Sequence, residues 1–230
     1  MSQIHISDLS HSWPGSDAPV LQNLSLNIDT GERVMLRGPS GSGKSTLLSA
    51  ISGVIDIPSG SVTIAGQDIG TLPASKRDSF RADHLGLIFQ VFNLVPWLSA
   101  VDNVLLPCRF SKRRRQRVNG AIDTEARRLL SALELDPDTL GASKASNLSV
   151  GQQQRVAAAR ALIGAPEVIL ADEPTSALDP DAKNSFMQLL CQQAQESGAA
   201  LLMASHDTGL DQHFDRVVEL SSLTAAGENQ

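Results

Sequence analysis

The sequence has few of the features that mark membrane-spanning, secreted or metal-binding chains. Its 230 residues include no tyrosine, two cysteines and 3% aromatic residues. The longest apolar stretches, such as 198–204, fall far short of the roughly 18 to 20 residues that cross a bilayer. The N-terminus lacks the basic start and apolar run of a secretory signal, so we expect the chain to remain in the cytosol. Cys108 and Cys191 are then expected to be reduced thiols, and the absence of a CxxC pair or Cys/His cluster argues against a bound transition metal.

Composition favours one globular domain that does not bind nucleic acid. A chain of 230 residues with 41% hydrophobic composition can bury one substantial core. The net charge of −6 and the scarcity of aromatics fit nucleic-acid binding poorly. One basic cluster stands out, which we interpret either as a solvated helix face or as a contact for anionic lipid headgroups or a partner. Its members are Arg109, Lys112, Arg113, Arg114, Arg115 and Arg117.

Hydrophobic periodicity divides the chain into three parts. Short runs of alternating apolar and polar residues in the first third, such as 24–28, predict strands. From Ser99 the spacing becomes helical, most clearly at 122–133. After Ser149, predicted helices alternate with apolar strands, which favours a parallel sheet covered by helices.

A glycine-rich loop lies between a predicted strand at 33–37 and a predicted helix at 44–52. It fits the pattern GxxxxGK[ST], in which small residues let consecutive backbone amides surround the β-phosphate of a nucleotide. Lys44 would bridge β- and γ-phosphate oxygens, and the Ser45 hydroxyl would ligate Mg²⁺. The predicted nucleotide-binding residues of this loop are Gly38, Pro39, Ser40, Gly41, Ser42, Gly43, Lys44, Ser45 and Thr46.

Two carboxylates follow the apolar strand at 168–171. Asp172 is placed to hold Mg²⁺ through water, whereas Glu173, one residue past the strand, can face the γ-phosphate and polarise the attacking water. Such an acid pair alone is commonly just an exposed cap, so this assignment depends on the neighbouring motifs.

The run Leu148, Ser149, Val150, Gly151, Gln152 opens a predicted helix with the pattern LSxGQ. It resembles the signature of ATP-binding cassette (ABC) ATPases, which offers backbone amides to ATP held by a second copy. The resemblance implies that Ser149, Gly151 and Gln152 bind nucleotide in trans. Val150 stands where most members carry glycine. Because a β-branched residue disfavours positive φ, this position either keeps ordinary backbone geometry or weakens the trans site.

The same resemblance gives three single residues an interpretation. Gln90 resembles the Q-loop glutamine, which senses Mg²⁺ and the attacking water while the following segment, 91–98, contacts a transmembrane partner. His206 resembles the switch histidine, which would contact the γ-phosphate and hold the catalytic Glu173 in place. Trp13 resembles the aromatic that stacks on adenine, with packing beneath the β region as the alternative.

Residues Ser176, Ala177, Leu178 and Asp179 resemble the D-loop, which crosses the dimer interface in this family. Before Pro180, Asp179 is equally typical of a helix N-cap. The two interpretations are compatible, so we place Asp179 at the predicted dimer interface.

Together the motifs stand in the family's order from Trp13 to His206. The resemblance implies an α/β P-loop NTPase fold with a parallel-sheet core, an N-terminal antiparallel β subdomain and a helical subdomain. We expect a single domain, 1–230, with the β subdomain and phosphate-binding part of the core at about 1–90, the helical subdomain at about 91–150, the rest of the core at about 151–220 and a polar tail at 224–230.

The implied activity is ATP hydrolysis with ATP and Mg²⁺ as cofactors. The expected partners are a second copy of the chain and a separate transmembrane permease, at the cytoplasmic face of the inner membrane. The segments 89–96 and 98–104 most resemble ATPases of lipoprotein-releasing and macrolide-efflux systems, which implies export or envelope extraction, with a periplasmic adaptor as a further candidate partner.

Three other functions are alternatives to export. One is an ABC complex that signals or applies force across the membrane to an envelope enzyme, and the cassette sequence does not separate it from export. An ABC protein acting on ribosomes or DNA would usually show tandem cassettes or a coiled-coil insertion, and neither is present. A P-loop kinase or GTPase would lack the signature helix.

Overall fold

Nine strands form two sheets in residues 2–15 and 18–223, the part of the chain that the computed structural model describes. They are β1 (Ser2–His11), β2 (Leu21–Asp29), β3 (Arg33–Arg37), β4 (Val62–Ile64), β5 (Gln67–Asp68), β6 (Leu85–Ile88), β7 (Val168–Asp172), β8 (Ala200–Ala204) and β9 (Arg216–Glu219). The order β2-β1-β4-β5 forms an antiparallel sheet, and β6-β7-β8-β3-β9 forms a parallel sheet. The predicted α/β fold class, with a parallel core and an antiparallel β region, is confirmed.

Helices occupy the longer connections between these strands, and a short helix follows β9. They are α1 (Lys44–Ile51), α2 (Ala74–His84), α3 (Ala100–Phe110), α4 (Lys112–Arg117), α5 (Ile122–Ala132), α6 (Pro137–Leu140), α7 (Val150–Leu162), α8 (Pro180–Ser197) and α9 (Leu220–Leu223), with 3-10 turns at Ala145–Asn147 and Thr208–His213. No helix within the described ranges has the length and apolar character needed to span a bilayer. The predicted tail at 224–230 lies outside the described residues, and the subdomain boundaries near 90 and 150 stay predictions.

The parallel sheet is buried on both faces because its strands alternate between two hydrophobic clusters. Ile169 and Leu201 point to the cluster shared with α3, α5, α7 and α8. Val168 and Leu202, their neighbours along each strand, point to the cluster shared with α1 and the antiparallel sheet. A two-residue side-chain period produces this division. The sheet therefore holds the loops at its ends on a rigid base.

Local capping sets the starts of the two helices that follow predicted functional loops. At α7, Ser149 Oγ accepts from the Gln152 amide over 3.3 Å, while Gln152 Oε1 accepts from the Ser149 amide over 2.9 Å. This reciprocal capping box satisfies two donors that the helix leaves open. At α8, Asp179 caps the Ala182 amide over 3.0 Å, and Pro180 follows at the first turn. The N-cap interpretation of Asp179 is confirmed.

Three arginines of the basic cluster make contacts within the fold. Arg114 is buried and donates to the Ala161 carbonyl oxygen over 2.6 Å, so the solvated-face interpretation is wrong for this residue. Arg113 and Arg117 both pair with Glu167, which lies in the loop before β7. The side chains therefore tie α4 to the end of α7 and the start of β7.

Candidate functional site

Four predicted site loops meet at the carboxyl edge of the parallel sheet. They follow β3, β6, β7 and β8, and parallel strands deliver the loops at their carboxyl ends to one side. A cleft of about 390 Å³ opens there. It is lined by Trp13, Val20, Ser40, Gly41, Gly43, Lys44, Ser45, Thr46, Gln90, Asp172 and Glu173.

The phosphate-binding loop has a backbone that requires glycine at two positions. Gly41 and Gly43 have φ of +79° and +107°, where other residues are strained. A Cβ on Gly43 would also lie 3.1 Å from the Val20 carbonyl oxygen. No side chain of the described residues caps the start of α1, so its first amides are available to an anion. The loop fits the phosphate groups that the sequence predicts.

Lys44 brings a positive charge to this loop. Its side chain is 5% exposed, and its ammonium donates to the carbonyl oxygens of Gly38 over 2.7 Å and Pro39 over 3.0 Å. Glu173 Oε1 lies 3.8 Å from Lys44 Nζ. The loop's own carbonyls therefore hold the ammonium in place at the cleft, where an incoming phosphate could replace them.

Glu173 is fixed in an unusual backbone conformation at the end of β7. Its φ is 42°, in the left-handed region that non-glycine residues seldom adopt. Its amide donates to the Ala204 carbonyl oxygen over 2.9 Å, which extends the pairing of β7 with β8. His206 Nδ1 lies 3.1 Å from Glu173 Oε1, and the ring of His206 is largely exposed. The predicted base and the predicted switch histidine therefore touch.

Asp172 has surroundings that suit an oxygen ligand to a cation. Burial raises the pKa of Asp172, and the charge of Glu173 raises it further. A hydrogen bond from Ser45 and the charge of Lys44 lower the pKa, but they do not outweigh the first two effects. Hydroxyl, carboxylate and amide oxygens from Ser45, Asp172 and Gln90 suit Mg²⁺. No group of three or more His, Cys, Asp or Glu side chains within the described ranges could hold an ion alone. A magnesium ion here would need phosphate and water oxygens as well.

Two polar residues that sequence reasoning missed hold the Q-loop segment (residues 91–98). Arg160 donates to the Phe92 carbonyl oxygen over 2.7 Å and to the Asn93 carbonyl oxygen over 2.6 Å. Asn103 is fully buried, accepts from the Val95 amide over 2.8 Å and donates to the Val95 carbonyl oxygen over 3.1 Å. An asparagine among the buried apolar positions of α3 was the available signal. The segment after Gln90 is thereby anchored to α3 and α7.

Within the described part of the chain, the signature residues do not line this cleft. Val150 is the first residue of α7, is half exposed and does not have a left-handed φ, so ordinary backbone geometry is confirmed at this position. A Cβ on Gly151 would lie 3.9 Å from Leu178 Cδ2, so signature and D-loop adjoin within one protomer. The trans roles of Ser149, Gly151 and Gln152 stay predictions.

Trp13 lies at the rim of the same cleft. Its side chain is 44% exposed, and its ring meets that of His11 edge to face with centroids 5.0 Å apart. Packing beneath the β region is therefore wrong. A large aromatic face remains open for stacking at the cleft.

Comparison with known proteins places the chain among cassettes with this arrangement. The family model described as ABC transporter matches residues 21–176. The lipoprotein-releasing system ATP-binding protein LolD of Syntrophotalea carbinolica is 39% identical over 228 residues, which cover 98% of each chain. The macrolide export ATP-binding/permease protein MacB of Shigella flexneri is 39% identical over 220 residues. That alignment covers 94% of this chain and 33% of MacB, so the chain spans about a third of the length of that relative.

Solved structures show the same architecture. The dimeric post-hydrolysis state of the ATP-binding cassette MJ0796 of Methanocaldococcus jannaschii, bound to ADP and Pi, matches with a TM-score of 0.81 and 34% identity. The match covers 94% of this chain and 93% of that one. A second dimeric structure of MJ0796 gives the same TM-score with 35% identity.

Proposed function

Because this chain belongs to the ABC transporter family and is an ATP-binding ATPase subunit of that family, we propose that two copies close on two ATP molecules and drive a separate transmembrane permease. The observation that carries this proposal is the convergence of Lys44 and Glu173 in one cleft, with His206 in contact with the Glu173 carboxylate.

The phosphate-binding loop would hold the triphosphate through its backbone amides. Lys44 would exchange its contacts with the Gly38 and Pro39 carbonyls for β- and γ-phosphate oxygens. Mg²⁺, held by Ser45, Gln90 and, through water, Asp172, would neutralise phosphate charge. Trp13 would stack on adenine at the rim.

Glu173 would serve as the general base. It would accept a proton from water as the water oxygen attacks the γ-phosphorus, and the bond to the β–γ bridging oxygen would break to leave ADP and phosphate. His206, already in contact with Glu173, would orient this carboxylate and hydrogen-bond the γ-phosphate. Ser149, Gly151 and Gln152 of a second copy would complete the site, with Asp179 at the interface between the copies.

The base role is tested by steady-state ATPase assays of Glu173→Gln. The amide preserves size but cannot take the proton, so turnover should fall by roughly 100-fold or more. Binding of a fluorescent ATP analogue should remain within about threefold, because the phosphate-binding loop is unchanged. Unchanged turnover would remove Glu173 from the catalytic role.

An apolar groove beside the Q-loop segment is the proposed permease site. Phe89, Leu106, Pro107 and Phe110 line this groove of about 320 Å³, and Phe110 is 79% exposed. Exposed apolar surface of this kind marks interaction sites. Movement of Gln90 at the cleft could pass to a permease through this groove.

We base the proposed direction of transport on two relatives, which are described as a lipoprotein-releasing system protein and a macrolide export protein. We propose that the complex lies at the cytoplasmic face of the inner membrane and exports or extracts an envelope substrate, with a periplasmic adaptor as a further partner. Co-purification of the permease followed by a vesicle assay tests this. Substrate movement supports export, whereas a coupled ATPase without movement favours the alternative, a complex that applies force to an envelope enzyme.

A further inference from the structure

An ion pair behind the proposed catalytic pair has no part in the mechanism above. Lys183 Nζ donates to Asp207 Oδ2 over 2.7 Å, and the two side chains are 22% and 30% exposed. Lys183 lies in the first turn of α8, where its amide donates to the Asp179 carbonyl oxygen over 2.9 Å. Asp207 directly follows His206. The pair therefore joins the end of the D-loop (residues 176–179) to the residue beside the switch histidine.

Asp207 is held from three directions. Its Oδ1 accepts from the Gly209 amide over 3.0 Å, and its own amide donates to Ser205 Oγ over 3.1 Å. Ser205 in turn is buried, and its amide donates to the carbonyl oxygen of Leu36 in β3 over 3.1 Å. Removing Lys183 would release one of these three restraints and leave the sheet contacts intact.

Most exposed ion pairs contribute little to stability because solvent screens them and side-chain entropy opposes them. This pair differs in being partly shielded from solvent, with side chains 22% and 30% exposed, and in joining helix α8 to the loop after β8. Loss of this pair should therefore shift the position of His206 while changing the free energy of unfolding only slightly.

We propose that the Lys183–Asp207 ion pair is a positioning device that holds His206 against Glu173 and makes that contact depend on the position of the D-loop. The inference rests on the proposed role of His206 in hydrolysis. When a second copy moves the D-loop, Lys183 would move with the start of α8 and carry Asp207 and the adjacent histidine. Closure of the dimer would thereby change the position of His206 relative to Glu173 through one ion pair.

The first test compares Lys183→Met with Lys183→Arg. Methionine keeps the length of the aliphatic chain without the charge, so kcat should fall about tenfold while KM for ATP and the melting temperature stay close to wild type. Arginine can pair with Asp207, so it should restore kcat to within about threefold. Arg128→Met, which removes the ion pair with Glu125 on α5, is the matched control and should leave kcat unchanged.

A wild-type kcat in Lys183→Met would overturn the inference. So would a joint loss of kcat, ATP affinity and melting temperature that arginine does not rescue, because that pattern indicates a merely structural role. Asp207→Asn, which keeps an oxygen for the Gly209 amide, should reproduce the kcat loss and guards against a folding defect specific to Lys183→Met.

The second test is a double-mutant cycle with His206→Ala, measured in single-turnover assays. If the ion pair acts through His206, Lys183→Met should add less than about a twofold loss in the His206→Ala background. A further tenfold loss there would contradict the inference while leaving the role of His206 intact. Wild-type activity in His206→Ala alone would contradict the proposed role of the histidine itself.

Discussion

At the scale of single residues, the site depends on a carboxylate held where L-residues are strained. The φ of 42° at Glu173 costs on the order of 1 kcal/mol and persists because the surrounding structure determines it. The amide of Glu173 bonds to Ala204, and its carboxylate meets Lys44 and His206. The backbone thus places the Glu173 carboxylate between Lys44 and His206 at the end of β7.

Val150 tests how much the signature depends on its second glycine. Since Val150 has ordinary helical geometry at the start of α7, Val150→Gly should change the turnover of the isolated ATPase by less than about twofold. The melting temperature should drop slightly, because glycine at a helical position costs up to about 1 kcal/mol.

A large rise in turnover on replacing Val150 would show that the native residue handicaps the trans site. Val156→Gly is not a suitable control because Val156 is fully buried. Gln116→Gly, at an exposed position of α4, gives the matched effect of a helical glycine far from the signature.

Most residues of the site could be predicted because their types and order encode phosphate chemistry. Lys44, Asp172, Glu173 and Gln90 all line one cleft as their motifs indicate. The partners that hold them could not be predicted in this way. Lys183 and Asp207, like Arg160 and the carbonyls it meets, lie far apart in sequence, and their pairing exists only after the helices pack on the sheet.

At the scale of elements, Glu167 connects three parts of the fold. It lies in the loop before β7 and pairs with Arg113 and Arg117 of α4 and with His84 at the end of α2. Burial alone would raise the pKa of Glu167, but its contact with His84, the hydrogen bond from Arg113 and the charges of His84 and Arg117 outweigh burial and lower the pKa to about 2.

This lowered pKa predicts a pH-dependent contribution to folding. Because the folded-state pKa lies below the ordinary value of 4.5, the contribution is complete above about pH 4.5 and is lost as the pH falls toward about 2. Glu167→Gln should therefore lower the free energy of unfolding at pH 7 by at most about 3 kcal/mol, and this difference should shrink below about pH 4.5.

Urea unfolding of wild type and Glu167→Gln at several pH values measures this difference. Glu125→Gln, which removes an ion pair within α5, serves as the control and should cost less than about 1 kcal/mol. A difference for Glu167→Gln that stays constant down to pH 3 would contradict the account.

Arg160 connects α7 to the Q-loop segment. Arg160→Met would leave the Phe92 and Asn93 carbonyls without their donor, so amide hydrogen exchange across 91–98 should speed up by about tenfold or more. Exchange in β7 and β8 should not change. ATP turnover should fall about three- to tenfold, because Gln90 directly precedes this segment.

Arg155→Met provides the control for Arg160, since Arg155 also lies on α7 but pairs with Glu134. It should leave exchange in the Q-loop segment unchanged. Unaltered exchange in Arg160→Met would show that Asn103 alone anchors the segment.

Hydrophobic periodicity predicted the helices and strands that have a buried face and missed those that do not. The predicted strands at 33–37 and 168–171 and the predicted helix at 122–133 agree with β3, β7 and α5 within one residue. Helix α2 has no buried residue, so it carries no apolar stripe for a pattern to detect. The break between α3 and α4 was hidden because Ser111, which caps α4 through the Arg114 amide, lies within an otherwise helical run.

At the scale of the whole molecule, the two groups of predicted nucleotide-binding residues lie apart within one copy. The phosphate-binding loop and Glu173 line its cleft, whereas Ser149 and Gly151 lie elsewhere, next to Leu178 of the D-loop. The matching MJ0796 structures are described as dimeric, and one is bound to ADP and Pi. A head-to-tail pair of this chain would bring each cleft against the signature of its partner, with ATP as part of the interface.

Sedimentation velocity of Glu173→Gln with ATP tests this central claim most directly. Slow hydrolysis should trap ATP between the copies, so the 24.4 kDa chain should sediment as a dimer with ATP and as a monomer with ADP. Adding Ser149→Arg should keep it monomeric with ATP while nucleotide binding to the phosphate-binding loop persists. A Glu173→Gln protein that stays monomeric at saturating ATP, or a dimer indifferent to Ser149→Arg, would contradict the account.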